Sequence, residues 1–262
     1  MLPAPPYSPL VYNCTTLQTH KSTSYDLMQN TPKTTMDQKH LKNVLFFLLA
    51  LAAAHCAKAI DYVVSNNAGA STGAARFDKE IGGEYAKQTL SSAAEFIQKL
   101  FQQNNSADIK SVEKVSVVIE NIDGLAYASN DIIHISAGYI EKYREDVQKE
   151  IAGLIYHEMA HILQWDGNSK APSGLTEGIA DFVRMKAGYA SDLWSPAGVG
   201  DQWDQGYEVT AHFLHYCDNL KNGFVADLNK KLKTDYSESY FNDLLGKPVA
   251  QLWSDYKAMY NN

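Results

Sequence analysis

The pattern of apolar and polar residues divides the chain beyond residue 60 into a strand-bearing half and a helical half. Asp61 to Ser65 reads as a short strand, followed by a loop of small residues to Ala75. From Glu84 to Gln102, the residues Ala86, Leu90, Ala93, Ala94, Ile97, Leu100 and Phe101 recur at helical spacing and predict an amphipathic helix. Val115 to Glu120 reads as a strand and Ile122-Asp123-Gly124 as a turn. In Asp131 to Ser136, Ile133 and Ile135 alternate with Ile132, His134 and Ser136, as in a half-buried strand, which puts His134 on the solvent side. Asp146 to Trp165 then predicts one long helix, stopped by Asp166-Gly167-Asn168. A loop with Pro172 and Gly174 leads to a helix from about Thr176 to Ala187. Further helices fit Gln205 to Leu220, Val225 to Leu232, Ser239 to Leu245 and Val249 to Tyr260. No internal repeat and no linker interrupts this series. The expectation is one α+β unit, a small mixed sheet packed on a mainly helical half.

The first 59 residues follow a different pattern. Residues 1–35 are rich in Pro, Thr and Ser and carry no hydrophobic period. Met36 is followed by Lys39, His40 and Lys42, an apolar run from Val44 to Ala54, and the small-x-small triplet Ala57-Lys58-Ala59. That order is the order of a signal peptide, expected over 36–59. The apolar run is too short for a bilayer, which needs about 20 residues. Translation from Met36 makes residues 1–35 an extension that is artefactual or disordered, with the folded domain over 60–262.

Composition is that of an independently folded domain. At 262 residues and 45% hydrophobic, the chain can bury a sizeable core. Its net charge is -7, and the excess is acidic, so nucleic acid is not an expected partner. Loss of residues 1–59 removes five lysines and two acidic residues, leaving 18 basic and 28 acidic groups, a net of −10. Cys14 and Cys56 go with them, so Cys217 stands alone and no internal disulfide is expected. Beside Phe213, Leu214 and Tyr216 it reads as a buried, inert thiol. Asn104-Asn105-Ser106 is a glycosylation sequon in a polar stretch.

The chemistry concentrates at His157-Glu158-Met159-Ala160-His161. Residues four apart share a helix face, so both imidazoles can reach one metal, and Glu158 is the next residue round, within reach of a water on that metal. Zinc makes such a water acidic, and a carboxylate can accept its proton. A pattern this short arises by chance in roughly one chain in a hundred of this composition, so its context decides. Ile151, Leu154, Ile155 and Ile162 supply an apolar face to bury the motif. A catalytic zinc also needs a third protein ligand, and Thr176-Glu177-Gly178-Ile179-Ala180-Asp181 offers one on the next helix. Glu177 suits the ligand, and Asp181, on the same face, suits a hydrogen bond that fixes a histidine tautomer. The reverse assignment, with Asp181 as ligand, stays open, as does a bland reading of Glu177 as an acid favoured by a helix N-terminus. His212, His215 and Cys217 lack a carboxylate companion and do not read as a second metal group.

This arrangement resembles the gluzincin metallopeptidases, in which a Glu from an N-E-x-x-x-D or N-E-G segment completes a zinc site; Thr176 stands in place of that Asn. In such enzymes a strand just before the motif helix pairs with extended peptide substrate, and Asp131 to Ser136 sits where that strand is expected. A closer resemblance, to the plant basic secretory protein family, covers nearly all of the domain. It is carried by Arg76-Phe77 with Glu80-Ile81-Gly82, Ala126 to Asn130, Tyr156 to His161, Gly174 to Tyr189, and Trp203 to Asn222. The resemblance implies a secreted, apoplastic zincin-like protein associated with defence, acting on peptide or protein substrates through Zn2+, with no membrane partner once the signal is removed. It leaves two function classes: a zinc peptidase, and a zincin-fold defence or binding protein with little catalysis. Peptide hydrolysis also needs a group that stabilises the oxyanion. Tyr207 and His212 are candidates, and the resemblance favours Tyr207, because His212 stands where the family carries an Arg.

Overall fold

The computed structural model describes residues 60–260. The expected extension over 1–35 and signal peptide over 36–59 lie outside the described residues. The first layer is a sheet of four strands, β1 (Asp61–Asn66), β2 (Lys114–Glu120), β3 (Ala126–Ser129) and β4 (Ile132–Ser136), in the order β1-β2-β4-β3. β1, β2 and β4 run parallel, while β3 is antiparallel to β4. The β3–β4 hairpin turns on Asn130 and Asp131, at φ 52° and 59°, the paired left-handed conformation that suits the strand twist and that Asn and Asp tolerate. Val115, Val117, Ile119, Ile133 and Ile135 are fully buried, so alternation along β2 and β4 aims one face into the core.

That hairpin corrects one expectation. β4, the Asp131–Ser136 segment, is an interior strand with β2 on one side and β3 on the other. Among the described residues the edge on that side belongs to β3, whose small residues give little periodic signal. His134 also differs from its expected solvent-facing role. It is half-buried, paired with Glu120, and its ring stacks on Tyr127 at 4.5 Å.

Two short helices were not read from the sequence, one of which begins inside the loop expected up to Ala75. Helix α1 (Thr72–Glu80) is capped by the Ser71 hydroxyl, which accepts from the Ala74 N–H at 3.1 Å, and it buries Phe77. Helix α3 (Ala137–Lys142) is capped the same way by Ser136. The two pack so closely that a Cβ on Gly73 would lie 1.9 Å from the Ala137 carbonyl oxygen. Between β1 and β2, helix α2 (Gly83–Leu100) buries Leu90, Ala93 and Ile97, as its periodicity predicts.

Helix α4 (Val147–Leu163) carries the H-E-x-x-H motif. Asp146 caps it, accepting from the Lys149 N–H at 3.0 Å. Only Gln148, Lys149 and His161 of its residues escape burial, so the helix is central and enclosed, beyond the single apolar face read from its sequence. Helix α5 (Ser173–Lys186) follows, one turn earlier than its sequence signal. Helix α6 (Tyr207–Leu220) crosses α5 at glycines: a Cβ on Gly178 would meet Thr210 Cγ2 at 2.2 Å, and one on Gly174 the Asp204 carbonyl oxygen at 1.7 Å. Helices α7 (Phe224–Lys231), α8 (Ser239–Leu245) and α9 (Val249–Tyr260) close the helical half around Phe213, Phe224, Phe241 and Tyr256. The fold is α+β, with the small mixed sheet against the helical half that carries the motif. Cys217 is fully buried, and that burial pushes its thiol pKa well up, so the expected inert cysteine is what the fold contains.

Candidate metal centre and cleft

The motif's two histidines stand one turn apart on α4, and Glu177 reaches them from the first turns of α5. His157 Nε2 lies 3.0 Å from His161 Nε2 and 3.1 Å from Glu177 Oε2, and His161 Nε2 lies 3.4 Å from the same oxygen. Four ligands set tetrahedrally at about 2.0–2.1 Å from a zinc ion are separated from one another by about 3.3 Å. The observed triangle is therefore close to one face of such a tetrahedron. Its three donors are two imidazole nitrogens and a carboxylate oxygen, the borderline set that suits a transition metal of the zinc type. These residues form a group that could hold a metal ion.

Asp181, one turn beyond Glu177, is buried and accepts from His157 Nδ1 at 2.7 Å. That bond puts the proton on Nδ1 and leaves Nε2 to face the centre. Of the two assignments open in the sequence, the geometry favours Glu177 among the donors and Asp181 behind His157. Without a metal, the same contacts act on protons. Burial opposes charge on His157, but hydrogen bonds to Asp181 and Glu177 outweigh it and raise its pKa to about 9. Burial would raise Glu177, but its hydrogen bonds to His157 and His161 hold it down to about 2.

Glu158 is buried and lines the same cleft as the three donors. Burial raises its pKa, countered by the neighbouring histidines, and the Ala128 N–H donates to its carboxylate. Leu125 accepts from the Ser136 N–H, so the odd-numbered residues of the hairpin face β4 and the backbone groups of Ala126 and Ala128 point off the free edge. The cleft, about 670 Å³, runs between this edge and α5, with Gly124 to Ala128 on one wall and Thr176, Glu177, Asp181 and Arg184 on the other.

Tyr207 completes the rim. It is 56% exposed, and its ring lies parallel to that of His157 with centroids 6.2 Å apart. It opens α6 at φ 45°, a left-handed conformation that a bulky residue adopts only under constraint. The negative charge of Glu177, then burial, raises its pKa, so it remains a hydroxyl donor at neutral pH. His212 points elsewhere, bonding the Ser195 carbonyl at 3.1 Å and meeting Trp194 edge-on.

Six of the seven sequence candidates, His157, Glu158, His161, Glu177, Asp181 and Tyr207, thus meet in one cleft, and His212 does not. Four neighbours escaped the sequence reading. Gln164 contacts His161 and was findable, since it follows by three residues on the same helix face. Arg184 lies seven residues beyond Glu177, where its guanidinium donates to Glu150 at 2.7 Å beneath the Trp194 ring. Trp194, from the loop before α6, and Glu208, in the first turn of α6, also line the cleft and had no local signal.

An enclosed helix that sets a buried carboxylate beside such a donor cluster, along an unpaired strand edge, is the layout of a peptidase. Residues 57–256 match the family described as peptidases of plants and bacteria, and the chain belongs to that family. Over 59 residues, 22% of this chain and 67% of the relative, it is 44% identical to a protein named basic secretory protease from Boswellia serrata. The family places the chain among peptidases, whose substrates are proteins.

Proposed function

We propose that the protein is a secreted zinc-dependent endopeptidase. His157, His161 and Glu177 would hold the metal, which supplies Lewis-acid polarisation of the scissile carbonyl and acidification of a water. The observation that carries the reading is Glu158: a buried carboxylate in the cleft, beside two histidines and a glutamate with tetrahedral spacing. Glu158 takes the proton of the attacking water and returns it to the leaving amine. A raised carboxylate pKa shifts it toward the range in which it can do both. The Ala128 N–H, donating to Glu158, fixes that carboxylate against the strand edge. Tyr207 donates its hydroxyl proton to the carbonyl oxygen as charge develops there.

The free edge of β3 offers the Ala126 backbone to an extended peptide, which would add as a further strand. The wall from Gly124 to Ala128 spans five residues, about 17 Å of extended chain at 3.4 Å per residue. A chain can therefore continue past the reacting bond, which supports an endopeptidase. Secretion and a defence role rest on the leader pattern at 36–59 and on the family resemblance. The exposed side chain of Asn104 is compatible with glycosylation on that route. The test is zinc analysis with digestion of a peptide library by wild type and Glu158→Gln. Cleavage by the wild type, lost by about 10²- to 10⁴-fold in the variant at equal zinc content, supports the reading. Equal digestion by both proteins, or zinc-loaded wild type that cleaves no peptide, refutes it.

A further inference from the structure

Gln164, the residue at the C-terminal end of α4, is 2% exposed and makes contacts unlike those of an ordinary capping side chain. Its Nε2 lies 2.8 Å from His161 Nδ1 and 3.2 Å from the Thr176 carbonyl oxygen, while its Oε1 is buried without a hydrogen-bond partner among the described residues. Thr176 is the residue before Glu177, and its own hydroxyl is turned back to the Ser173 carbonyl at 2.8 Å. One side chain from α4 therefore bridges a histidine donor and the backbone beside the glutamate donor. Nothing in the sequence motif assigns it a role.

The orientation of that amide has a chemical consequence. With Nε2 donating to Nδ1, His161 carries its own proton on Nε2, the atom that faces His157 and Glu177. A ring that ligates through Nε2 carries its proton on Nδ1 instead and must donate it. Among the described residues, the hydrogen-bond partner of Nδ1 is the Gln164 amide, and only the oxygen of that amide can accept. We propose that Gln164 is the positioning residue for His161: on metal uptake its amide turns, so that Oε1 accepts from Nδ1–H. The turn gives the orphaned oxygen a partner and releases the Thr176 carbonyl. His157 needs no such change, since Asp181 already accepts from its Nδ1. The two histidines thus differ, one held by a carboxylate and one by an amide that adapts.

The inference rests on the metal reading of the site and is independent of peptide hydrolysis. The experiment compares zinc affinity by chelator competition for wild type, Gln164→Met and Gln164→Glu, with urea midpoints of the metal-free proteins as a folding control. Histidine side-chain nitrogen NMR of the wild type, with and without zinc, reads the His161 tautomer. Gln164→Met, similar in volume but without an acceptor, is expected to bind zinc about 10- to 100-fold more weakly. Gln164→Glu, both of whose oxygens accept, retains the wild-type affinity, a rescue that a purely structural role would not give. Zinc is expected to move the wild-type His161 proton to Nδ1. Wild-type affinity in Gln164→Met, equal loss in both variants, or a proton that stays on Nε2 with zinc bound overturns the proposal alone. Wild type that takes up no zinc overturns it together with the metal reading. Should Gln164→Met not fold, Gln164→Glu and the tautomer decide.

Discussion

Chelator-treated protein is expected to lose stability as pH rises from 6.5 to 9, and zinc is expected to bind more tightly over the same interval. His157 titrates near 6.5 when unfolded, and Asp181 and Glu177, acting against burial, raise it to about 9 in the folded protein. A pKa raised on folding stabilises fully below the unfolded value, and the contribution fades as pH climbs through the folded one. The interval of about 2.5 units corresponds to about 3–4 kcal/mol, since each unit is about 1.4 kcal/mol. Glu177, held down to about 2, is the same contact seen from its partner, so the two contributions are not added. Between roughly pH 4.5 and 6.5 the ion pair is complete, and stability from this source is flat. Because the ligating nitrogen is protonated below pH 9, zinc must displace about one proton from His157. Urea denaturation of the metal-free protein at several pH values reads the first effect. Calorimetric titration of zinc in buffers of different ionisation enthalpy reads the second. Asp181→Asn is expected to flatten the stability curve between pH 6.5 and 9. A wild-type curve already flat there, or zinc uptake at pH 7.5 that releases no proton, refutes the argument.

Other perturbations separate the remaining parts. Tyr207→Phe is expected to lower kcat by about 10²- to 10³-fold with little change in KM or zinc content, the pattern of a donor used only in the transition state; a change in KM alone counts against that role. Gly178→Ala places a methyl group 2.2 Å from Thr210 Cγ2, so α5 and α6 must separate, at a cost of about 1–3 kcal/mol in urea denaturation. An unchanged midpoint would mean that the helices have slack at this crossing. Cys217, fully buried and with its thiol pKa raised, should react with iodoacetamide only after unfolding, and mass analysis showing labelling of the native protein contradicts that.

The donor cluster was legible because it is built from spacing along helices. His157 and His161 are one turn apart, as are Glu177 and Asp181, so two local patterns fixed which side chains could converge. What joins the two patterns was not local. Gly174 was expected in a loop and Gly178 drew no reading of its own, yet they are where α5 lies against Asp204 and Thr210. β3 was missed because Ala126-Tyr127-Ala128-Ser129 offers one large side chain in four, and its place is set by the Asn130-Asp131 turn and pairing with β4. That miss assigned the edge beside the cleft to the neighbouring strand. Helix α1 was hidden for a related reason: Gly73 and Ala74 look like loop residues, and only the contact with α3 explains their size.

Tyr207 shows how that long-range packing reaches the chemistry. A bulky residue at φ 45° costs on the order of 1–3 kcal/mol, and it persists only where its surroundings fix it. Here they do. Thr210 accepts from the Gly206 N–H at 2.8 Å while its hydroxyl donates to the Trp203 carbonyl at 2.8 Å, so the chain entering α6 is tied at both ends. Thr210 is also the residue that Gly178 admits, one position from Glu177. The crossing that sets Glu177 against the histidines therefore also holds the backbone that carries Tyr207. A packing role alone does not account for this expenditure, because the Tyr207 side chain is more than half exposed and fills no core space. Strain retained beneath an exposed phenol goes with a ring held parallel to that of His157 at the cleft.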